Sequence, residues 1–154
     1  MAQDVYLQPD SWADESNVLH LRFSNAVFSH DETLCYHDLV DREPARPTMT
    51  TYSGCNTKPF MKAGVKVFTV KKDLLNLGRI TLKNSFGHEL PFYDLERTIC
   101  DLIRSRSHFE MQDFTSAMRR YAARTDKNLN RLMDYADKFH VVNILRKYME
   151  VLIS

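Results

Sequence analysis

The spacing of the apolar residues changes at Asp94, and no other feature of the sequence constrains the fold as strongly. Upstream of Asp94, short segments such as VKVFTV (65–70) alternate apolar and polar residues, which is typical of half-buried strands. Downstream, apolar residues recur at intervals of three and four, beginning with Leu95, Ile99 and Leu102, which indicates amphipathic helices. Strands followed by helices predict an α+β fold, with a sheet-rich N-terminal half and a C-terminal helical layer.

The N-terminal half is predicted to contain strands and one helix. Ser29 is followed three residues later by Glu32, a capping-box pattern, so we expect a helix that starts at residue 29, runs to about Val40 and ends before Pro44. Residues 84–87 (NSFG) are predicted to form a hairpin turn between the last two strands. The predicted strands lie at 5–7, 18–23, 47–52, 65–70, 78–84 and 88–93.

The C-terminal half is predicted to form about four helices. Asp94 is well placed to cap the first of them, and Glu96 lies in its first turn, where the helix dipole favours a negative charge. The expected helices span 94–104, 110–124, 128–139 and 141–152. Because no repeat or linker separates the halves, we expect one domain over residues 1–154, strand-rich over 1–93 and helical over 94–154.

Cysteine usage and hydropathy predict a cytoplasmic protein. The three cysteines are odd in number and widely spaced, so we expect neither a disulfide framework nor a structural zinc site. No apolar run approaches the roughly 20 residues needed to cross a bilayer, and residues 1–16 lack the basic-then-apolar order of a signal peptide. We expect no membrane partner, and we expect the protein to be a monomer.

The charge of the chain is unevenly distributed, although its formal net charge is only +1. Residues 1–43 carry nine acidic and two basic side chains, whereas residues 44–72 carry six basic and no acidic ones. Such a field could steer a charged partner, or the two segments could lie side by side and neutralise each other. Two basic groups are candidate contacts for a protein partner or for nucleic-acid phosphates. The first group is Lys58, Lys62, Lys66, Lys71 and Lys72, and the second is Arg119, Arg120 and Arg124, followed by Lys127 and Arg131.

Two histidine patterns resemble sites without meeting their requirements. Ser29-His30-Asp31 has the residue types of a catalytic triad, but triads bring distant residues together, and adjacent side chains point in different directions. His30 and His37 lie seven residues apart and could bind a metal together with Asp41. Zinc sites, however, usually need three protein ligands at tight spacing, and the chain has no HExxH motif. We therefore expect packed or surface histidines.

Asp94, Glu96 and Asp101 form the densest carboxylate cluster beside a predicted strand. Carboxylates in this position could hold Mg²⁺ for nuclease or nucleotidyl-transfer chemistry. Arg97 and Arg104, however, are spaced to neutralise them along one helix, so helix capping and ion pairs explain the cluster without a metal. The chain also lacks a P-loop and a GxGxxG motif. The sequence therefore predicts no catalytic residue, no metal and no cofactor, and hence no enzyme.

The stretch FYDLERTICDLIR (92–104) resembles the AbiEi family of abortive-infection antitoxins, which has a Tyr-Asp-Leu-Glu-Arg-Thr-x-Cys-Asp-like stretch after its last strand. Residues 27–44 resemble that family's FSHETAL…HGLTDRTP segment, with Asp38 where the family pattern has Gly. The helical C-terminus of the family is matched by residues 117–121, 132–136 and 146–152. The similarity keeps one order over nearly the whole chain.

The resemblance implies an antitoxin that neutralises a cognate nucleotidyltransferase-type toxin, either by direct binding or functionally, through the toxin's product. Family members often carry an N-terminal winged-helix domain that binds the promoter. Because Val5 aligns where that domain ends, we expect this kind of DNA binding only in a full-length form.

The motif residues Asp94, Glu96, Arg97 and Asp101 are expected to build the strand-to-helix junction and not to contact the toxin. Two alternatives to an antitoxin stay open. One is a DNA-binding transcriptional regulator of its own operon that uses the basic groups. The other is a divalent-metal, nuclease-like enzyme that uses the carboxylate cluster.

Overall fold

A five-stranded mixed sheet forms the centre of the protein, whose structure, a computed structural model, describes residues 14–153. Its strands are β1 (Val27–Phe28), β2 (Thr48–Tyr52), β3 (Lys66–Val70), β4 (Arg79–Lys83) and β5 (Glu89–Tyr93). Their spatial order is β3-β2-β1-β5-β4. The pairs β1–β5 and β2–β3 are parallel, and the pairs β1–β2 and β4–β5 are antiparallel. The strand predicted at 5–7 lies outside the described residues.

Seven α-helices surround this sheet in the described part of the chain. They are α1 (Glu15–Arg22), α2 (Asp31–Tyr36), α3 (Lys58–Lys62), α4 (Leu95–Arg104), α5 (Met111–Ala123), α6 (Leu129–Lys138) and α7 (Val142–Ile153), with 3-10 turns at Lys72–Leu74 and Arg106–His108. The predicted α+β class and the four C-terminal helices are confirmed. None of the helices within residues 14–153 is long and apolar enough to cross a membrane.

The three central strands of the sheet are mostly buried, and each face of the sheet has its own apolar core. On one face, α4 to α7 pack around residues such as Tyr93, Ile99 and Tyr121. On the other face, Phe28 packs with residues from α1, α3 and β5. Consecutive strand residues enter different cores because side chains alternate across a sheet. Each fully buried large apolar side chain stabilises the fold by about 1.5–3 kcal/mol before the entropy cost is counted.

The strand predicted at 18–23 is wrong, because these residues belong mainly to α1. Asp14 caps this helix by accepting a hydrogen bond from the Asn17 amide at 3.3 Å. Leu19 and Phe23, four residues apart, pack into the second core, whereas Leu21 is 71% exposed. A strand would have placed Leu19, Leu21 and Phe23 on one face, so the apparent alternation was accidental.

The capping box predicted at Ser29 is also wrong. The helix, α2, begins at Asp31 and ends at Tyr36, and the Ser29 hydroxyl contacts the Thr50 hydroxyl at 2.7 Å instead of capping it. The Glu32 amide donates to the hydroxyl of Thr48, 3.1 Å away on the adjoining strand. A tertiary partner therefore replaced the local one that the sequence pattern offered.

Two of the three helices that the structure describes between residues 14 and 93, α1 and α3, were not predicted. Helix α3 is only five residues long and has Pro59 in its first turn. It lies between the parallel strands β2 and β3, which cannot be joined by a tight hairpin. Its one buried side chain, Phe60, stacks on Phe23 with a ring-centroid distance of 4.0 Å.

Candidate functional site

Arg97 of the family motif is completely buried beneath the connection between β3 and β4. Its Nε donates to Asp101 Oδ1 at 3.1 Å. Its Nη1 donates to the carbonyl oxygens of Leu74 at 2.8 Å and Leu77 at 2.6 Å. The guanidinium carbon lies 3.8 Å from the centre of the Tyr93 ring. Arg97 therefore fastens α4 to an irregular segment whose carbonyl groups would otherwise lack donors.

Asp94 joins the start of α4 to α6. One carboxylate oxygen accepts from the Arg97 amide at 2.8 Å, which confirms Asp94 as the helix cap. The other accepts from the Tyr135 hydroxyl at 2.8 Å. Burial and the hydrogen bond to Asp94 raise the pKa of Tyr135, so this phenol stays neutral and donates.

Glu96 joins α4 to α5 and to the start of α6. Its Oε2 accepts from the Tyr121 hydroxyl and from the Asn128 amide, both at 3.0 Å. Burial and the negative charge of Glu96 raise the pKa of Tyr121. The side chain of Glu96, in the first turn of α4, therefore links α5 to the start of α6.

The carboxylates that could have formed a metal site face different partners. Asp94 contacts Tyr135, Glu96 contacts Tyr121, and Asp101 contacts Arg97. Within residues 14–153, no group of three or more His, Cys, Asp or Glu side chains is arranged to hold a metal ion. Each charged motif residue thus has at least one partner inside the fold, while Arg97 Nη2 and Asp101 Oδ2 are buried without a hydrogen-bond partner among the described residues.

His30 lies in a polar cluster that the sequence did not predict. Its Nδ1 is 2.7 Å from the Ser29 hydroxyl, and its Nε2 is 3.1 Å from the hydroxyl of Ser105 at the end of α4. The ring stacks on Phe68 with a centroid distance of 3.6 Å. Burial lowers the pKa of His30 to about 4, so the imidazole is neutral at pH 7. Because it is only 3% exposed, we interpret His30 as a link between sheet and helix.

His37 does not share a site with His30. Its Nε2 is 2.9 Å from the Tyr93 carbonyl oxygen, and burial lowers its pKa. This contact lies at the end of β5, whereas His30 contacts Ser105 at the far end of α4. The two histidines, which the sequence predicted to share one helix face, therefore make contacts in different parts of the fold.

Five lysines gather around β3, the outermost strand on one side of the sheet. Lys66 begins this strand, and Lys71 and Lys72 follow its last residue. The other two lie at the ends of α3, which precedes β3. We call this group the lysine edge, and it consists of Lys58, Lys62, Lys66, Lys71 and Lys72.

The lysine edge carries charge that the described part of the protein does not neutralise. None of its five ammonium groups forms an ion pair with a residue in 14–153. Lys66 Nζ lies 5.5 Å from the centre of the Phe68 ring, and Lys72 Nζ lies 5.7 Å from that of Tyr52. All but Lys66 are exposed. Within residues 14–153, nothing therefore occupies these charges, which a partner could contact.

The second basic group is largely occupied by contacts within the protein. Arg120 donates to Asp41 at 2.7 Å. Arg124 donates to both carboxylate oxygens of Asp126, at 2.8 and 2.9 Å, and to the His37 carbonyl. Arg120 and Arg124 thus hold α5 against the 37–41 turn, whereas Arg119 is exposed and forms no ion pair with a residue in 14–153.

Among the described residues, the acidic and basic segments do not neutralise each other through ion pairs. Asp41 pairs with Arg120 and Asp14 pairs with His88. No ion pair in residues 14–153 joins an acidic side chain of 14–43 to a basic one of 44–72. Asp14 and Asp41 thus pair outside the basic segment, and ion pairs within residues 14–153 do not offset the charge of the lysine edge.

Glu32 lies in the negative field of the acidic segment, and its ionisation should make the stability of the protein depend on pH. Burial, followed by the charges of Asp31 and Glu43, raises the pKa of Glu32 to about 7. Ionising it in the folded protein is therefore costly, and wild-type stability should fall as pH rises from about 4.5 to 7. We expect Glu32→Gln to raise the free energy of unfolding by about 1–2 kcal/mol at pH 8, after an allowance for partial solvent screening, and by much less at pH 5. Urea unfolding at both pH values measures the difference.

The matched control for this prediction is Glu89→Gln. Glu89 is exposed at the start of β5, so neutralising it should change stability little at either pH. If Glu32→Gln gave the same gain at pH 5 as at pH 8, the ionisation of Glu32 would not be the cause.

Several residues that complete these arrangements gave no signal in the sequence. No pattern in the sequence assigned a polar role to Tyr121 or Tyr135, yet their hydroxyl groups bind motif carboxylates. Gly78 has a φ of +78° and lies against Arg97. Each role depends on a contact between distant parts of the chain, which periodicity cannot reveal.

Comparison with known proteins does not establish a family. No protein-family model matches the chain, and no curated protein matches it. The resemblance to AbiEi antitoxins therefore stays a prediction from the residues quoted above. That resemblance and the arrangement of charges together support the function proposed below.

Proposed function

We propose that this chain is an antitoxin of a bacterial abortive-infection system, which neutralises a cognate nucleotidyltransferase-type toxin in the cytoplasm and has no catalytic activity of its own. The single observation that carries the proposal is the separation of its charges. The charged motif residues, such as Arg97 and Asp101, are paired inside the fold, whereas the lysine edge forms no ion pair with any residue in 14–153 and four of its five lysines are exposed. The ordered resemblance to AbiEi antitoxins gives the class of partner.

The lysine edge suits a partner of this kind on electrostatic grounds. A nucleotidyltransferase holds divalent metal ions through carboxylates and so surrounds its active site with acidic groups. From Lys66 to Lys71, the charges span roughly 15 Å along one strand. A basic surface of this extent would speed encounter with an acidic partner and fix its orientation, even where each contact adds little affinity.

Charge reversal on the lysine edge should abolish neutralisation. In a bacterial host that expresses the cognate nucleotidyltransferase-type toxin, the wild-type chain is expected to restore growth. The variant Lys66→Glu/Lys71→Glu/Lys72→Glu should reduce the number of surviving colonies by roughly tenfold or more, because it places like charges at the contact. Colony counts and the amount of folded protein are the measurements.

The matched control reverses three exposed basic residues elsewhere. Lys83 lies on β4, at the opposite edge of the sheet, and Arg146 and Lys147 lie on α7. Their triple replacement by glutamate changes the net charge equally and should leave rescue intact. If both triple variants failed alike, net charge would be responsible instead of the lysine edge. If the wild-type chain failed although both proteins were folded, the proposed function would be wrong.

A DNA-binding regulator is the second candidate, and the same unpaired lysines favour it. Phosphate contacts would make the affinity fall steeply as salt rises, with a slope of about 0.9 per phosphate neutralised on logarithmic axes. Measuring binding to the operon's promoter at several salt concentrations tests this candidate. No binding at low salt would eliminate it.

A further inference from the structure

The outer side of β3 has hydrogen-bonding groups that face away from the sheet. The Lys66 amide donates to the Pro47 carbonyl at 2.9 Å, and the Val70 carbonyl accepts from the Ser53 amide at 2.7 Å. Backbone groups of consecutive residues in a strand point to opposite sides. Lys66 and Val70 thus face β2, and the N–H and C=O groups of Val67 and Thr69 point away from it.

This side of the sheet is open within residues 14–153. Strand β3 is the last in the sheet order and pairs with β2 over its whole length. Helix α3 packs through Phe60 into the core on one face of the sheet, which leaves the side of the strand uncovered. Thr69 is exposed, as are Lys71 and Lys72 directly after the strand. An extended segment can therefore reach the free groups of Val67 and Thr69.

The lysines restrict which segment can pair there. An open edge strand would otherwise pair with any exposed strand, including its own counterpart in a second copy of the protein. Two copies of the lysine edge would bring ten positive charges together, so the edge repels itself and other basic strands. An acidic strand would meet Lys66 at one end of β3 and Lys71 and Lys72 at the other. Charge thus selects the occupant, while the backbone supplies the hydrogen bonds.

We propose that the outer side of β3 binds an extended acidic segment of the partner protein, which adds to the sheet as a sixth strand. This inference rests on the proposed function for the identity of the partner, the nucleotidyltransferase-type toxin. It adds the mode of recognition. The main chain of the segment pairs with Val67 and Thr69, and the lysines select a segment of negative charge and fix its position along β3.

The first experiment tests the chemistry of the edge without the toxin. A strand of alternating glutamate and valine is fused to the full chain after Ser154 through a flexible glycine–serine linker, and amide hydrogen exchange is followed by NMR. A tether that gives a millimolar effective concentration should slow exchange of the Val67 and Thr69 amides about tenfold. A strand of alternating lysine and valine on the same linker should not slow it. Equal protection by both strands, or protection by neither, would overturn the inference.

The second experiment uses proline to remove one outward donor. Thr69→Pro should fold, because proline is tolerated on an edge strand where its missing N–H faces solvent, yet it should lose protection by the acidic strand and lose rescue of growth. Thr81→Pro is the matched control on the opposite edge of the sheet. The Gly78 carbonyl accepts from the Asp94 amide, and the Asn84 amide donates to the His88 carbonyl, with both partners directly flanking β5. Because backbone groups alternate along a strand, the N–H of Thr81 faces outward, and Thr81 is exposed.

The outcomes separate this inference from the proposed function. If the acidic strand protects Val67 and Thr69 but the wild-type chain does not restore growth, the edge binds acidic strands and the antitoxin proposal fails. If the wild-type chain and both proline variants restore growth equally, the antitoxin proposal stands and strand addition to β3 is overturned. Should Thr69→Pro fail to fold, Lys71→Glu/Lys72→Glu takes its place, since it leaves the backbone unchanged and should lose protection by the acidic strand.

Discussion

Replacing Arg97 with methionine is expected to lower the free energy of unfolding by about 3–5 kcal/mol, because it leaves a buried charge without its partner. Asp101 is also completely buried, and its closest other cation, Arg104 Nη1, is 3.7 Å away. The carbonyl groups of Leu74 and Leu77 would lose their donor as well. Urea unfolding followed by circular dichroism measures the loss.

Two further variants separate the causes. Arg104→Met removes a partly exposed guanidinium that also pairs with Asp101, and it should cost less than about 1 kcal/mol. Arg97→Met/Asp101→Leu removes both buried charges and should recover part of the loss, but the carbonyl groups of Leu74 and Leu77 still lack a donor. A cost for Arg97→Met no greater than that for Arg104→Met would contradict the structural role of the motif.

Gly78→Ala is expected to lower the free energy of unfolding by about 2–5 kcal/mol, the sum of a crowding cost and a backbone cost. A Cβ atom at this position would lie 2.7 Å from Arg97 Cβ and 3.2 Å from Tyr135 Cε2. Crowding of this kind costs about 1–3 kcal/mol. The backbone φ of +78° adds about 1–2 kcal/mol for any residue with a side chain. The same unfolding measurement applies.

Gly87→Ala is the control that isolates the backbone contribution. Gly87 has a φ of +84°, and a Cβ atom added there would meet nothing within 4 Å beyond the residues next to it in the chain. Its replacement should therefore cost only the strain of the left-handed conformation, about 1–2 kcal/mol. Equal costs at the two glycines would mean that the close approach to Arg97 has no energetic consequence.

The parts of the fold that sequence could predict depend on contacts between near neighbours. The helical half was predictable because the apolar spacing and the cap at Asp94 both act within one or two turns. The β4–β5 hairpin was predictable because a short turn connects its strands. The five lysines were visible as a charge cluster, but only the sheet order placed them along one open strand.

The sequence-based predictions of structure failed where a contact with a distant residue outweighed the local pattern. Ser29 offered a helix cap, but the Thr48 hydroxyl on β2 supplied a partner for the Glu32 amide. Residues 18–23 alternated by chance, and packing of Leu19 on the sheet selected a helix. Similarly, no spacing rule connects Arg97 to the carbonyl groups of Leu74 and Leu77. The sequence shows that such side chains are polar, but it does not show which residues they contact.

The central strand β1 has only two residues, Val27 and Phe28, yet it is the sole link between the pair β2–β3 and the hairpin β4–β5 in the sheet that the structure describes. Its parallel pairing joins Phe28 to Phe92, so this link closes a long loop, and such contacts form late in folding. We therefore expect the hairpin to form early and the two sides of the sheet to join last. Native-state exchange should show the two sides opening as separate cooperative units, with the amides of β1 losing protection whenever either side opens.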